Sequence, residues 1–164
     1  MGVAHMLGLP ETIPELARCG PRYPLMPPGA VHLFGFDPVN ATAFELEAVR
    51  SYGVPTAELG EVRLAPSASA GRVLLGWASE FDRIQVHLDV DVVDFGDLPL
   101  AENYTRNNGL RYAQALAALR VLLASPKLAG LTVTEVNPDH GAEDGSTIRG
   151  LARDLSALLS HPEL

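Results

Sequence analysis

Three aspartates in the run HLDVDVVD, at positions 89, 91 and 94, form the segment with the clearest chemical potential. The run continues an apolar, β-branched stretch that predicts a strand from about Ile84 to Asp89. Residues two apart on a strand point to the same side, so Asp89 and Asp91 are expected to direct both carboxylates to one place at the strand end. Two such anions repel each other, and a bound divalent cation relieves that repulsion. The alternative is that one aspartate caps the next turn while the other is solvated.

Two histidines lie near candidate carboxylates. His87 shares the side of the strand that carries the two aspartates, and it is either a further metal ligand, a group that supports a ligand or a hydrogen-bonded core histidine. Asp139 and His140 are interpreted as loop residues, and a general-acid role for His140 is left open.

Two further carboxylates follow predicted strands. Glu135 closes the apolar run LAGLTVTEV, where a carboxylate suits a guanidinium, an amine or a metal ion. A structural salt bridge from Glu135 to Arg149 or Arg106 is the alternative. Asp37 follows the run VHLFGF and is a candidate contact for a substrate amino group, with a turn-forming role before Pro38 as its alternative.

Strands alternating with helices position these residues. A strand in the run VHLFGF leads to a helix with a capping-box pattern at Thr42 and Glu45 and a stop at Gly53. The pattern repeats with a short stretch near Val62 and a helix over residues 67–81. After the strand that ends at Asp89 come a helix, a strand over 128–136 and a last helix. The apolar faces of these two helices carry Tyr112, Leu116, Leu119 and Leu123 in the first, and Ile148, Leu151, Ala152, Leu155 and Leu159 in the second, with Arg149, Arg153 and Asp154 turned away.

This alternation predicts an α/β fold of three layers, α/β/α, in which helices cover both faces of a mainly parallel sheet. Residues 1–30 are rich in proline and glycine, which predicts an irregular lead-in with one short helix around Glu11 to Arg18. With 164 residues, of which 47% are hydrophobic, the chain has the size of one globular domain.

Composition excludes several functional classes. A net charge of −8 disfavours binding to nucleic acid and suits a cationic substrate or a metal. Cys19 is the single cysteine, which favours a reducing, cytoplasmic setting. The beginning of the chain has no secretion signal and falls well short of the roughly 20 apolar residues of a membrane span, so we predict a soluble protein without a membrane partner.

Together these segments resemble one known family, the ureohydrolases, which include arginase, agmatinase and formiminoglutamase. Asp89-Val90-Asp91-Val92-Val93-Asp94 is similar to the family's Asp-x-Asp-x-x-Asp segment. Thr134-Glu135-Val136-Asn137-Pro138 is similar to its Glu-Val-Asn-Pro segment, and the separation of the two segments matches. The resemblance runs from Met1–Gly8, which is similar to the stretch after the family's His-Gly motif, to the last helix. It identifies residues 1–164 as the C-terminal half of an arginase-like domain.

The resemblance implies a two-manganese centre with Asp89 and Asp91 among its ligands. It implies hydrolysis of a guanidino or formimino C–N bond in a small cationic substrate, with release of urea. Hard oxygen ligands suit Mn²⁺, and two such ions activate water. Glu135 would then be the catalytic residue that holds the substrate guanidinium, with Asp37 as a further substrate contact.

The chain also departs from the family pattern. The Gly-Gly-Asp-His and Asp-Ala-His-x-Asp segments that supply the other metal ligands have no counterpart, because His5, His32 and His161 lack acids at suitable spacing. The loop Asp94 to Gly109 lacks the usual Asp-Pro and Gly-Thr-Pro elements. A gap in the sheet is expected where the missing half contributes a strand, and an exposed strand edge invites pairing or aggregation.

Three readings follow from this combination. The chain is an incomplete ureohydrolase that is inactive alone, or one part of an enzyme whose complementary N-terminal half or homo-oligomer partner supplies the other ligands. The third reading is a non-catalytic fragment or interaction domain derived from the same fold.

Overall fold

The computed structural model describes residues 2–10, 12–104 and 108–160, over which helices and parallel strands alternate in an α/β arrangement. The chain divides into two compact units, Met1–Glu58 and Leu59–Leu164, and the single-domain interpretation stays a prediction. The strands are β1 Leu33–Phe36, β2 Thr56–Glu58, β3 Ile84–Asp89 and β4 Leu128–Thr134. The helices are α1 Gly2–Met6, α2 Pro14–Ala17, α3 Ala43–Tyr52, α4 Leu59–Leu64, α5 Pro66–Leu75, α6 Tyr112–Leu123 and α7 Ser146–Ser160.

The first unit begins with short helical pieces. These are α1, α2 and a 3₁₀ turn over Pro28–Ala30. The pieces from Pro14 onward lie among prolines, which fix φ, lack an amide hydrogen and so keep them short. Helix α2 lies within the range predicted for one short helix, Glu11 to Arg18, although Glu11 itself lies outside the described residues. Helix α1 is additional to that prediction.

Helix α3 connects β1 with its parallel partner β2, and its ends follow the sequence signals. The Thr42 hydroxyl accepts the N–H of Glu45 at 3.2 Å, and the Thr42 N–H donates to the Glu45 carboxylate at 2.8 Å. The backbone N–H of Thr42, and then its hydroxyl, lower the pKa of the Glu45 carboxyl. Gly53 ends the helix in the left-handed region at φ 62°. The predicted capping box and glycine stop are therefore confirmed.

The core of the first unit is small. Leu7, Leu9 and Val54 are buried together, and partly buried apolar side chains surround them. Those side chains belong to Val3, Ala4, Val31, Leu33 and Ala48.

The second unit is built on β3 and β4, which pair in parallel with Asp89 opposite Thr134. Helix α6 lies between them in the sequence and supplies the crossover that parallel strands require. The Tyr112 hydroxyl donates to the Asp154 carboxylate at 3.1 Å and so joins α6 to α7. Partial burial, and then this hydrogen bond, raise the pKa of the Tyr112 phenol. Asp154, predicted to face away, is instead half-buried in this contact.

Helix α7 buries Leu151, Leu155 and Leu158, which are spaced at i, i+4 and i+7. Leu159, which the sequence placed on this stripe, is 46% exposed because Leu158 takes the inward position.

Two predicted elements have different bounds in the structure. The strand of the second repeat is Thr56–Glu58, and Val62 lies in α4, where it is buried with Leu59 at helical spacing. The helix predicted over residues 67–81 ends at Leu75. Gly76 follows with φ −92° and ψ −102°, and the remaining residues form a 3₁₀ turn over Trp77–Glu80.

The four strands form two separate two-stranded sheets, β1-β2 and β3-β4, within the described residues. Strand β3 alternates in burial. Ile84 and Leu88 are buried, whereas Gln85 and His87 on the opposite face are exposed. The face of β3 that carries Ile84 and Leu88 is therefore the covered one.

No helix in the described residues has both the length and the apolar character needed to cross a membrane.

Candidate functional site

Asp89 and Asp91 lie at the end of β3. Asp89 is the last residue of the strand, and Asp91 lies in the 3₁₀ turn Val90–Val92 that follows. The Asp89 carboxylate accepts the backbone N–H of Asp91 at 3.4 Å and caps that turn. Val90 is 1% exposed and anchors the turn in the core. The capping alternative is therefore realised for Asp89, and it brings the Asp89 side chain beside Asp91.

The two carboxylates interact unfavourably when both are ionised. Partial burial raises the pKa of the Asp91 carboxyl, and the negative charge of Asp89 and a side-chain hydrogen bond to it raise the pKa further. A side-chain hydrogen bond with Asn103 acts in the opposite direction. Two hard oxygen donors thus repel each other at one point, and a divalent cation would remove that repulsion.

Asp94, the third aspartate of the segment, closes a loop. Its carboxylate accepts the N–H groups of Gly96 and Asn108, each at 2.8 Å. Gly109 packs against the backbone of Asp94, where a Cβ atom would lie 2.2 Å from the Asp94 nitrogen. A larger residue at position 109 would therefore force the two chain segments apart. We call residues 92–94 and 108–110 the loop neck.

Both ring nitrogens of His87 lie within hydrogen-bonding distance of side chains on β4. Nδ1 lies 2.7 Å from the Thr132 hydroxyl, and Nε2 lies 3.1 Å from the Thr134 hydroxyl. His87 is exposed, so it is not a core histidine. Because both ring nitrogens lie near threonine hydroxyls of β4, neither is directed at the two aspartates. Threonines at alternate positions of a strand paired with β3 were the signal that could have predicted this arrangement.

Glu135 follows β4 directly and is exposed. It is the one non-glycine residue in the described chain with positive φ, at 59°. The ion pairs among the described residues join Arg72 to Glu61 and Arg153 to Asp154, and none involves Glu135.

Arg149 and Arg106 were the predicted salt-bridge partners of Glu135, and no such salt bridge forms in the described part of the chain. The Arg149 guanidinium donates instead to the Asp144 carbonyl at 2.8 Å. Arg106 lies outside the described residues. Among the described residues, the Glu135 carboxylate therefore has no cationic partner.

Hydrogen bonds join the segments that follow β3 and β4. The Asn137 side-chain amide donates to the Glu102 carboxylate at 2.8 Å, and His140 Nδ1 lies 2.8 Å from the Ala101 carbonyl. An antiparallel bridge between Ala101 and Val136 adds a backbone contact. The loop that contacts Asp91 is thereby fixed to the loop that carries Glu135.

Sequence reasoning missed this network. It read His140 as a loop residue and assigned nothing to Asn103, Asn137 or Tyr104. Two partners of His140, Tyr104 and Ala101, lie 36 and 39 residues away in the chain, so local patterns carry no signal for these contacts.

Asp37 lies in the first unit, whereas Asp89, Asp91 and Glu135 lie in the second. Its carboxylate accepts the Val39 N–H at 2.9 Å, which is the turn-forming geometry that the sequence offered as an alternative. The substrate contact assigned to Asp37 stays a prediction.

Within the described ranges, no three His, Cys, Asp or Glu side chains form a group that could hold a metal ion. Asp89 and Asp91 fit manganese in part, because they offer hard oxygen donors with a repulsion that a cation relieves. A full coordination shell needs ligands beyond these two. His161, named among the histidines without acidic partners, lies outside the described residues.

The chain resembles known proteins in sequence and fold. It matches the sequence model of the Arginase family over residues 18–159. Arginase from Bacillus caldovelox superposes with a TM-score of 0.84 and 23% identity, covering 99% of this chain and 52% of that chain. For arginase from Bacillus subtilis the TM-score is 0.82 and the identity 20%, with 99% and 54% covered. For formimidoylglutamase from Bacillus subtilis the values are 0.72 and 19%, with 83% and 42% covered.

These likenesses show an α/β fold of the arginase type, as the sequence predicted. The chain spans about half the length of the solved structures that it matches. No curated protein matches the chain.

Proposed function

Because the chain belongs to the arginase family, we propose that it supplies part of the active site of a manganese-dependent hydrolase acting on a C–N bond. The substrate in this proposal is a small guanidino or formimino cation, and the guanidino reaction releases urea. Asp89 and Asp91 bind manganese, and Glu135 binds the cationic group. Since the chain spans about half the length of its structural matches, the remaining ligands come from further sequence or from a second chain.

The repulsion between Asp89 and Asp91 is the observation that supports this proposal most directly. Burial and the Asp89 charge raise the pKa of Asp91, so the metal-free chain disfavours ionising both carboxylates. A divalent cation reverses that preference because it stabilises both ionised groups. The oxygen-only donor set suits manganese better than it suits softer metals such as copper(I).

Glu135 would hold the substrate. When bound, manganese supplies Lewis-acid activation of water and of the substrate. A carboxylate accepts two parallel N–H bonds from a guanidinium, which orients the planar group and neutralises its charge. Glu135 is exposed, and none of the described residues uses this capacity in an ion pair. The contacts of Asn137 and Val136 with the opposite loop fix the backbone that carries it.

A second candidate function is a non-catalytic interaction domain derived from the same fold. The lack of a three-residue metal group in the described chain favours it. For either function we propose a cytoplasmic setting, in keeping with the free and exposed thiol of Cys19.

Replacing either metal carboxylate should weaken manganese binding while the fold persists. We expect Asp89→Asn and Asp91→Asn each to lower the affinity for Mn²⁺ by at least about tenfold, because each removes a charged ligand. Isothermal titration of the metal-free chain with Mn²⁺ measures the effect, and circular dichroism checks the fold. Asp82→Asn, an exposed aspartate before β3, is the matched control and should bind Mn²⁺ like the wild type.

Two results would contradict the metal assignment. One is equal Mn²⁺ affinity in the wild type and both variants. The other is an Asp89→Asn chain that unfolds while metal affinity is untouched, since that would give Asp89 a purely structural role. Urea release from guanidino compounds, on mixing with a chain that carries the missing ligand segments, would separate the catalytic function from the interaction domain.

A further inference from the structure

Three aromatic rings cluster in the segments that follow β3 and β4. The Tyr104 ring centroid lies 5.1 Å from that of Phe95 and 4.8 Å from that of His140. Phe95 is 6% exposed, whereas Tyr104 is 61% exposed. Tyr104 therefore rests on a buried support and presents much of its ring to the outside.

The hydroxyl group fixes the position of this exposed ring. His140 Nδ1 lies 2.8 Å from the Ala101 carbonyl, which can only accept, so Nδ1 carries the proton and donates. Nε2 of the neutral ring then accepts from the Tyr104 hydroxyl at 2.8 Å. The Asn137 side chain also lies 3.1 Å from Nε2. An exposed tyrosine is thus held in one orientation by a chain of hydrogen bonds rather than by burial.

The anchored ring belongs to a segment with contacts to both groups of candidate site residues. Tyr104 follows Asn103, whose side chain bonds to the Asp91 carboxyl. Its anchor His140 contacts Asn137, which lies two residues after Glu135. Asn137 in turn donates to the Glu102 carboxylate. The segment that carries the ring is therefore joined to the residues at the carboxyl ends of two parallel strands, where ligands of α/β folds collect.

We propose that Tyr104 is a substrate-contacting residue whose ring face stacks on the planar cationic group, with His140 as the residue that positions it. The negative face of an aromatic ring attracts cations, and a planar guanidinium can stack on it. A carboxylate binds such a cation at its edge, which leaves the flat face for the ring. This role builds on the proposed function, because it takes the substrate to be a guanidino or formimino cation.

Binding of agmatine to the metal-free chain tests this role without manganese or turnover. The probe is compared with 1,4-diaminobutane, a dication that lacks the guanidino group, by chemical-shift titration of the ¹⁵N-labelled full chain. We expect Tyr104→Leu to bind agmatine about fivefold more weakly than the wild type. Tyr104→Phe keeps the ring and loses only the hydrogen bond to His140, so its loss of affinity should be smaller than that of the leucine variant. It also covers the case in which the leucine variant does not fold.

The matched control is Tyr52→Leu, at a second exposed tyrosine on α3, which should leave agmatine binding unchanged. Unchanged binding in Tyr104→Leu would overturn the role of Tyr104, as would equal losses in the leucine and phenylalanine variants. Absence of agmatine binding in the wild type would overturn it as well. The proposed function is judged separately, by the Mn²⁺ affinities of the Asp89 and Asp91 variants.

Discussion

Glu135 combines a strained backbone conformation with a carboxylate that has no ion-pair partner among the described residues. A non-glycine residue in the left-handed region costs about 1–2 kcal/mol, because its Cβ approaches the neighbouring carbonyl oxygen. Glu135 holds φ at 59° at the end of β4, and its carboxylate makes no ion pair within the described residues. Strained residues of this kind cluster at functional sites, where the surrounding structure imposes the conformation. The strain therefore supports a binding role for the Glu135 carboxylate.

Replacing Glu135 by glycine should stabilise the fold while it removes the carboxylate. Glycine adopts positive φ at little cost, so we expect Glu135→Gly to raise the free energy of unfolding by about 1 kcal/mol. Urea denaturation measures the change. Agmatine binding should fall in the same variant, because the substrate carboxylate is gone.

Glu143→Gly is the matched control, since Glu143 is an exposed glutamate without positive φ. There the added chain freedom of glycine should leave stability equal or lower. A loss of stability in Glu135→Gly would show that the Glu135 side chain, rather than its backbone conformation, matters to the fold.

At this scale the sequence predicts residue types better than their contacts. Asp89 could be placed at a strand end because the alternation of β3 is local, and its capping bond reaches only to Asp91. The contacts of His87 with Thr132 and Thr134 depend on how two distant strands are registered, so they could not be predicted in the same way.

At the scale of elements, local signals again decide what could be foreseen. The bounds of helix α3 were predicted to within a residue, because its capping box and its glycine stop are local signals at the two ends of the helix. Val62 was misplaced because burial in a helix and burial in a strand look alike over a short apolar stretch. Helix α5, before β3, was predicted to be longer than it is, because the apolar spacing continues through Trp77 although the backbone turns at Gly76.

The capping box of α3 should contribute stability that depends on pH. We expect Thr42→Ala to lower the free energy of unfolding by about 1 kcal/mol at pH 7. The capped Glu45 has a lowered pKa, so its contribution is present above the pKa of the unfolded chain and is lost as pH falls through the folded pKa. The difference between wild type and variant should therefore shrink below roughly pH 4. Thermal unfolding at several pH values measures both effects.

Ser156→Ala serves as the control for this prediction, because Ser156 is exposed on α7 and its hydroxyl bonds to no carboxylate in the described part of the chain. It should change stability by less than about 0.5 kcal/mol at either pH. A Thr42→Ala deficit that stays constant down to pH 3 would contradict a role for the Glu45 carboxylate.

At the scale of the whole molecule, the sheets in the described residues have few strands and bury few side chains. The chain has two parallel pairs of strands in its described part, and neither β1 nor β4 contains a buried residue. Isolated two-stranded pairs are marginal in water, and parallel strands are normally covered. The chain also spans about half the length of the solved structures that it matches. These facts agree with the predicted gap in the sheet and with a missing complement.

The chain should associate with itself when it is alone. Unpaired strand edges favour added strands, so we expect its mass by light scattering to rise with concentration. A lysine on an exposed strand blocks such pairing, and Val133→Lys on β4 should therefore reduce association. Val39→Lys, at an 87% exposed position in a turn, is the control and should have no effect. A monomer at every concentration would contradict this prediction.

The loop neck has a consequence for how the site can change over time. Asp94 binds amides on both sides of the neck, and Gly109 packs against its backbone, so the loop leaves and re-enters the fold at one closed point. An exchange of an exposed side chain beyond that point, such as Glu102 or Tyr104, therefore leaves the backbone at the end of β3 in place. Selection can thus change which compound is accepted by changing exposed loop side chains, while the paired carboxylates keep their place.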